Sequence, residues 1–301
     1  MSRHALGLAL LVLVTVVWGS TFPVVKTTAR VLDPSTLIAW RFTLGLLPLL
    51  PFLLRKPQGA TAQTASNQTP GHLWRDGFVL GLWLIGGYAT QTIGLQTTSA
   101  NRGAFITGLS VVIVPLWLAL SRGRNLPTRL WGAALCAVLG IGLLSWEGGA
   151  LVVGDTWVLG CALTYAGYIL ALERLAGHHS ALALTAAQVA VTALLAWGWA
   201  LLSGHASLPP SFGWGPLLYL GLVATAATTL LQTVGQQRVT APEAAIIYAL
   251  EPVTASVFSF FLLGETVGWR GLGGGMLVVV AMILSQLPER GERVHGRGLA
   301  E

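Results

Sequence analysis

The chain has 301 residues, 54% hydrophobic and 9% charged, with a mean hydropathy of +0.71. Its 17 Lys and Arg and 11 Asp and Glu cannot solvate the exterior of a protein this size, which excludes a water-soluble fold. The net charge of +6 is not gathered into a basic face that would read nucleic acid, so the chain reads as an all-α integral membrane protein facing lipid.

About ten uncharged apolar runs are long enough to cross the hydrocarbon as helices: 5–25, 35–54, 77–95, 103–120, 130–146, 156–172, 181–202, 215–235, 244–263 and 268–287. The first follows Arg3 and His4 as a signal peptide would. No small-residue cleavage site comes after it, and Trp18, Gly19 and Pro23 lead into more membrane sequence, so it reads as a retained first helix. The polar stretch 57–71 reads as a flexible cytoplasmic loop and 288–301 as a cytoplasmic tail.

With the N-terminus in the cytoplasm, twelve of the 17 basic residues fall on the inner side. Only Lys26, Arg30, Arg102 and Arg270 fall outside, and Arg41 lies within the second run. The bias of Lys and Arg toward the inside predicts that both termini are cytoplasmic. His178 and His179 read as solvated residues reinforcing that side. Cys136 and Cys161 sit inside apolar runs without metal-ligand spacing, and no phosphate-loop or other cofactor motif is present.

The chain aligns on itself. Gln91-Thr92-Ile93-Gly94-Leu95-Gln96 lies over Gln232-Thr233-Val234-Gly235-Gln236-Gln237. Trp18 lies over Tyr165, Lys26 over Glu173 and Arg41 over Gln188, at an offset larger by six that the loop 57–71 explains. Two repeats of five helices are expected, over 5–147 and 155–287. Because five is odd, the second repeat enters the membrane upside down. Inverted repeats allow two conformations of similar energy around a site near the midplane, which points to transport.

Trp18-Gly19-Ser20-Thr21-Phe22, Arg41-Phe42, Glu251-Pro252-Val253 and Leu262-Leu263-Gly264-Glu265, in this order and spacing, resemble the EamA family of the drug/metabolite transporter superfamily. The resemblance covers both halves, and it implies a bacterial inner-membrane permease or exporter with ten helices, both termini inside and no ATP-binding domain. The first half departs from the pattern, with Ser110-Val111 opposite Glu251-Pro252 and Ser121-Arg122-Gly123-Arg124 where a Gly-Glu element is expected.

The family's architecture places the first, third, fourth, sixth, eighth and ninth spans around the centre. Their polar and aromatic residues Trp18, Ser20, Tyr88, Gln91, Phe105, Thr107, Tyr165, Tyr168, Thr228, Gln232 and Tyr248 are candidates to bind substrate, against the alternative of helix packing. Gln91 and Gln232 stand out because they are equivalent in the repeat and an amide in lipid needs partners. Glu251, halfway along the ninth span, is read either as a coupling or substrate-contacting acid or as a group that satisfies donors freed beside Pro252. Arg41 is read either as snorkelling to the headgroups or as paired with a buried acid. Gly271 to Gly275 reads as a close-packing face, within the chain or in a homodimer.

A secondary transporter of a small organic metabolite, an amino acid or amphipathic compound, is the leading expectation, with no cofactor; outward movement is what the family resemblance implies. A membrane-embedded enzyme or lipid-handling protein would need a catalytic constellation such as H-E-x-x-H or G-x-S-x-G, which the sequence lacks. A sensor would need a soluble domain, and no segment outside the apolar runs is long enough for one.

Overall fold

The computed structural model of the protein describes residues 2–54, 70–122, 127–145, 152–264, 266 and 268–285. The stretch 57–69, the tail 288–301, Glu265 and the Gly123-Arg124 pair lie outside the described residues. The helices that cross the fold are α1 (Arg3–Thr28), α2 (Pro34–Phe52), α3 (Pro70–Leu95), α4 (Ala100–Ser121), α5 (Thr128–Ser145), α6 (Val153–His178), α7 (Ala181–Leu202), α8 (Trp214–Gln236), α9 (Ala241–Leu263) and α10 (Gly268–Ser285). Among the described residues, all but α5 and α10 are long and apolar enough to cross a membrane, and α5 contains the shorter apolar helix Leu130–Leu143. Helix α3 starts at Pro70, seven residues before the expected 77, because a proline suits the first turn, where its missing N–H has no partner to lose.

Helix starts are set by side chains that cap free N–H groups. Asp33 and Ser180 accept from Ser35 N and Ala183 N at the starts of α2 and α7. Ser99 accepts from Arg102 N at the start of α4, and at the start of α9 the Glu243 carboxylate accepts from Thr240 N. Each pair occupies equivalent positions of the repeat. So do the helix contacts: α3 packs on α6 and α7 as α8 packs on α1 and α2, and α4 packs on α6 as α9 packs on α1.

Two glycine pairs make the first of these contacts close. Where α3 meets α6, a Cβ on Gly154 would collide with Gly94 O and the Thr97 hydroxyl. In the equivalent contact of α8 with α1, a Cβ on Gly7 would lie 3.1 Å from Gly235 O. The buried Gly274 of α10 faces Gly140 of α5, where a Cβ on Gly140 would lie 2.7 Å from Gly274 O. Gly274 therefore packs within the chain, whereas Gly273 is exposed with nothing within 4 Å of a Cβ placed on it.

Helices α4 and α9 are both interrupted at the same point of the repeat. The first runs Ala100–Gly108, turns at Leu109 and resumes as Ser110–Arg122. The second runs Ala241–Tyr248, turns at Ala249 and Leu250 and resumes as Glu251–Leu263. In α9 the cause is Pro252, which offers no N–H to Tyr248 O. The interruptions meet: a Cβ on Gly108 would lie 3.1 Å from Pro252 Cγ.

Candidate functional site

Beside this junction is a central cavity lined by Trp18 and Thr21 of α1, Arg41 of α2, Trp83, Leu84, Gly87, Tyr88 and Gln91 of α3, Thr107 of α4, Cys161, Tyr165 and Tyr168 of α6, Gln232 of α8 and Glu251 of α9. Residues of both halves contribute to it. It is narrow, since the volume open to the centre of a water molecule is about 40 Å³. One water needs roughly 10–15 Å³ by that measure, so the space holds about three waters, but it is not sealed, since Trp83, Tyr88, Gln91 and Tyr165 on its wall are partly exposed. Apolar clusters flank it along the helix axes, with Leu11, Val14, Leu118 and Ile169 toward one end and Phe22, Val25, Leu95 and Ala104 toward the other.

The aromatic wall is a connected set. Trp18 packs edge-on against Tyr165 with centroids 5.6 Å apart and lies 5.5 Å from Tyr248, and Tyr165 stacks on Tyr168 at 6.2 Å. The indole Nε1 of Trp18 donates to Thr228 Oγ1 at 3.1 Å. Gln232 Nε2 donates to the Tyr165 hydroxyl at 3.4 Å and to Gln236 Oε1 at 3.2 Å, and the Tyr248 hydroxyl donates to the same Oε1 at 3.3 Å. The Tyr168 hydroxyl donates to Gln188 Oε1 at 2.9 Å. These bonds hold the rings in place, because an amide or phenol in an apolar interior is costly to leave unpaired. The Thr107 hydroxyl is buried at the wall beside the Cys161 thiol.

The structure brings Trp18, Tyr88, Gln91, Thr107, Tyr165, Tyr168, Gln232, Glu251 and Arg41 to the cavity. It does not bring Ser20, Phe105, Thr228 or Tyr248 to its wall. Ser20 shares a 2.5 Å hydrogen bond with the Tyr219 hydroxyl, and Phe105 packs on the apolar cluster of α5 and α10. Thr228 and Tyr248 stand behind Trp18, the first as its hydrogen-bond acceptor and the second as a ring neighbour.

Arg41 departs from both readings made of it, and Glu251 departs from the structural one. Arg41 neither snorkels nor pairs with an acid: it is 1% exposed, and its hydrogen bonds go to Thr225 and to the Ala224 carbonyl. The Glu251 carboxylate is buried and, among the described residues, accepts no hydrogen bond, so it does not satisfy donors at the break beside Pro252. His179 is also corrected. Its side chain is 4% exposed and its Nε2 lies 2.8 Å from Asp76 Oδ2, joining the loop before α7 to the start of α3, while His178 is exposed as expected.

The wall residues that sequence reasoning missed are Thr21, Trp83, Leu84, Gly87 and Cys161. Helical spacing links them to the candidates, with Leu84, Gly87, Tyr88 and Gln91 on one stripe of α3 and Cys161, Tyr165 and Tyr168 on one stripe of α6.

The EamA-like transporter family matches residues 5–146 and again 152–287. A protein of Archaeoglobus fulgidus named an uncharacterized transporter is 30% identical over 282 residues, 94% of this chain and 85% of that one. An S-adenosylmethionine/S-adenosylhomocysteine transporter of Chlamydia muridarum is 28% identical over 119 residues, 40% of this chain and 37% of its own. A crystal structure of a protein 18% identical to this one superimposes with a TM-score of 0.73, over 95% of this chain and 96% of that one, which is a likeness of fold.

Proposed function

The chain belongs to the EamA-like transporter family of multi-pass membrane proteins, and from that premise we propose that it exports a small organic metabolite across the bacterial inner membrane by alternating access, with both termini in the cytoplasm. The observation that carries this reading is the chamber beside the two broken helices, with walls from both repeats and room for only a few waters. A narrow space between flanking apolar clusters suits a central site that a solute reaches from one side at a time. The aromatic wall of Trp18, Tyr88, Tyr165 and Tyr168 suits an organic solute with an apolar body, and Gln91, Thr107 and Gln232 offer polar contacts to its functional groups. Glu251, a buried acid without a hydrogen-bonded partner among the described residues, is the group to couple export to proton movement.

The test is an untargeted comparison of metabolites inside and outside cells that lack the protein, overproduce it, or overproduce Gln232→Ala. The expected result is one compound class depleted inside and enriched outside on overproduction, with the Gln232→Ala cells returning toward the deletion strain. Identical metabolite profiles in all strains, with the protein present in the membrane, overturn the export reading.

A further inference from the structure

Arg41 is the largest fully buried side chain of the described residues, and the way it is held differs from that of an ordinary buried cation. Its Nε donates to Thr225 Oγ1 at 2.7 Å and its Nη2 to Ala224 O at 2.9 Å. Its guanidinium carbon lies 4.4 Å from the centroid of the Tyr88 ring, which is itself braced edge-on by Phe42 at 4.9 Å. Both acceptors come from a π-helical stretch of α8, Tyr219–Ala227, in which the Thr225 hydroxyl also donates to Leu220 O, five residues back. The wider π turn supplies a carbonyl and a hydroxyl on one side of the guanidinium. Glycines bring the two helices close enough for this contact: a Cβ on Gly45 would lie 2.9 Å from Gly221 O, and one on Gly221 would lie 2.9 Å from Arg41 O.

Every one of these partners is neutral. They fix the plane of the guanidinium without cancelling its charge, and among the described residues no carboxylate forms an ion pair with it. Nη1 has no acceptor among the described residues, and the side chain lines the cavity. A cation at this depth with no ion pair is costly even with the Glu251 carboxylate on the same cavity wall, and packing alone would be served better by an apolar side chain of similar volume. What the arrangement provides is a pre-oriented planar donor next to an aromatic face, which matches an oxyanion attached to an apolar body.

We propose that Arg41, held by Thr225 and Ala224 and backed by Tyr88, is an oxyanion subsite of the cavity, taking the carboxylate or a comparable anionic group of the transported molecule through Nη1. The proposal rests on the reading of the cavity as the transport site. It differs from the coupling role given to Glu251, because Arg41 keeps its charge throughout and acts by binding.

The test compares benzoate with its neutral counterpart benzamide, measured as the shift in thermal unfolding of the full-length protein in nanodiscs of zwitterionic lipid, so that no anionic headgroup competes. Wild-type protein should be stabilised by benzoate and not by benzamide at matched concentration. Arg41→Gln should weaken the apparent benzoate affinity by roughly tenfold or more, and Arg41→Lys, which keeps the charge but loses the fork, by less. If Arg41→Gln does not fold, Thr225→Val keeps the charge and removes the Nε anchor, and it should weaken benzoate several-fold. An equal response to benzoate and benzamide, no response to either, or an undiminished benzoate response in Arg41→Gln or Thr225→Val overturns the subsite. Because the metabolite comparison uses no benzoate, an export reading that fails and a subsite that fails remain distinguishable.

Discussion

Asp155, in the first turn of α6, collects three hydrogen bonds on one carboxylate: from Arg102 Nη2, from the Thr98 hydroxyl and from Val152 N, each at 2.8 Å. It ties the α3–α4 connection to the start of the second repeat. The carboxylate is 5% exposed and Arg102 18%, so solvent screens the pair little. Replacing Asp155 with Ala strands the buried Thr98 hydroxyl, at about 1–3 kcal/mol, and removes a charge-assisted bond worth about 1.5–3 kcal/mol. Allowing for overlap between these, the expected loss is about 3–5 kcal/mol. Asn keeps one acceptor oxygen and the shape but not the charge, and should lose about 1–2 kcal/mol. Denaturant unfolding of the three proteins in detergent, followed by the far-ultraviolet signal, measures both differences. An Ala variant that loses less than about 1 kcal/mol, or an Asn variant as damaged as Ala, refutes the assignment of this junction to charge-assisted bonding.

Glu251→Gln removes a proton-binding group that has no hydrogen bond among the described residues to lose, so thermal stability should change by less than about 1 kcal/mol while flux in vesicles loses its dependence on the proton gradient; wild-type pH dependence in the variant would sink the coupling role. Gly167→Ala places a Cβ 2.6–2.8 Å from three atoms of the Trp83 ring, which lines the cavity and must shift, so transport should fall several-fold, and unchanged transport together with unchanged tryptophan fluorescence would contradict this packing. A reporter active only in the periplasm, fused after Glu301, should stay silent, and strong activity there rejects the proposed orientation.

The helices and the duplication were legible because they rest on features carried locally along the chain. Apolar runs marked most helices to within a few residues, and the matched Gln91 and Gln232 with Gly94 and Gly235 revealed the repeat before any contact was known. Those two glycines then occupy equivalent close approaches of α3 to α6 and of α8 to α1. What was not legible depends on distant partners. The acceptors of Arg41 lie more than 180 positions away, on a stretch of α8 whose π-helical winding has no sequence mark. His179 looked like a solvated loop residue because its partner, Asp76, is 103 positions earlier. The misplaced candidates Ser20, Phe105, Thr228 and Tyr248 were chosen by residue type on the right helices, but facing is decided by rotation about each axis, and in uniformly apolar helices hydrophobic periodicity gives little guide to that rotation.

Cys161 gives the chain its own timekeeper. Of its two thiols, Cys136 donates toward Leu277 O in the α5–α10 contact, whereas Cys161 is on the wall of the chamber. The space beside Cys161 holds about three waters, so a thiol-directed reagent larger than that should reach it faster when the space widens. If the protein works by the proposed alternating access, the labelling rate of the wild-type molecule should follow opening, and the sidedness of an impermeant reagent should report the face that opens. A solute that holds the chamber shut should slow that clock, which turns a search for the transported compound into a kinetic measurement on the native sequence.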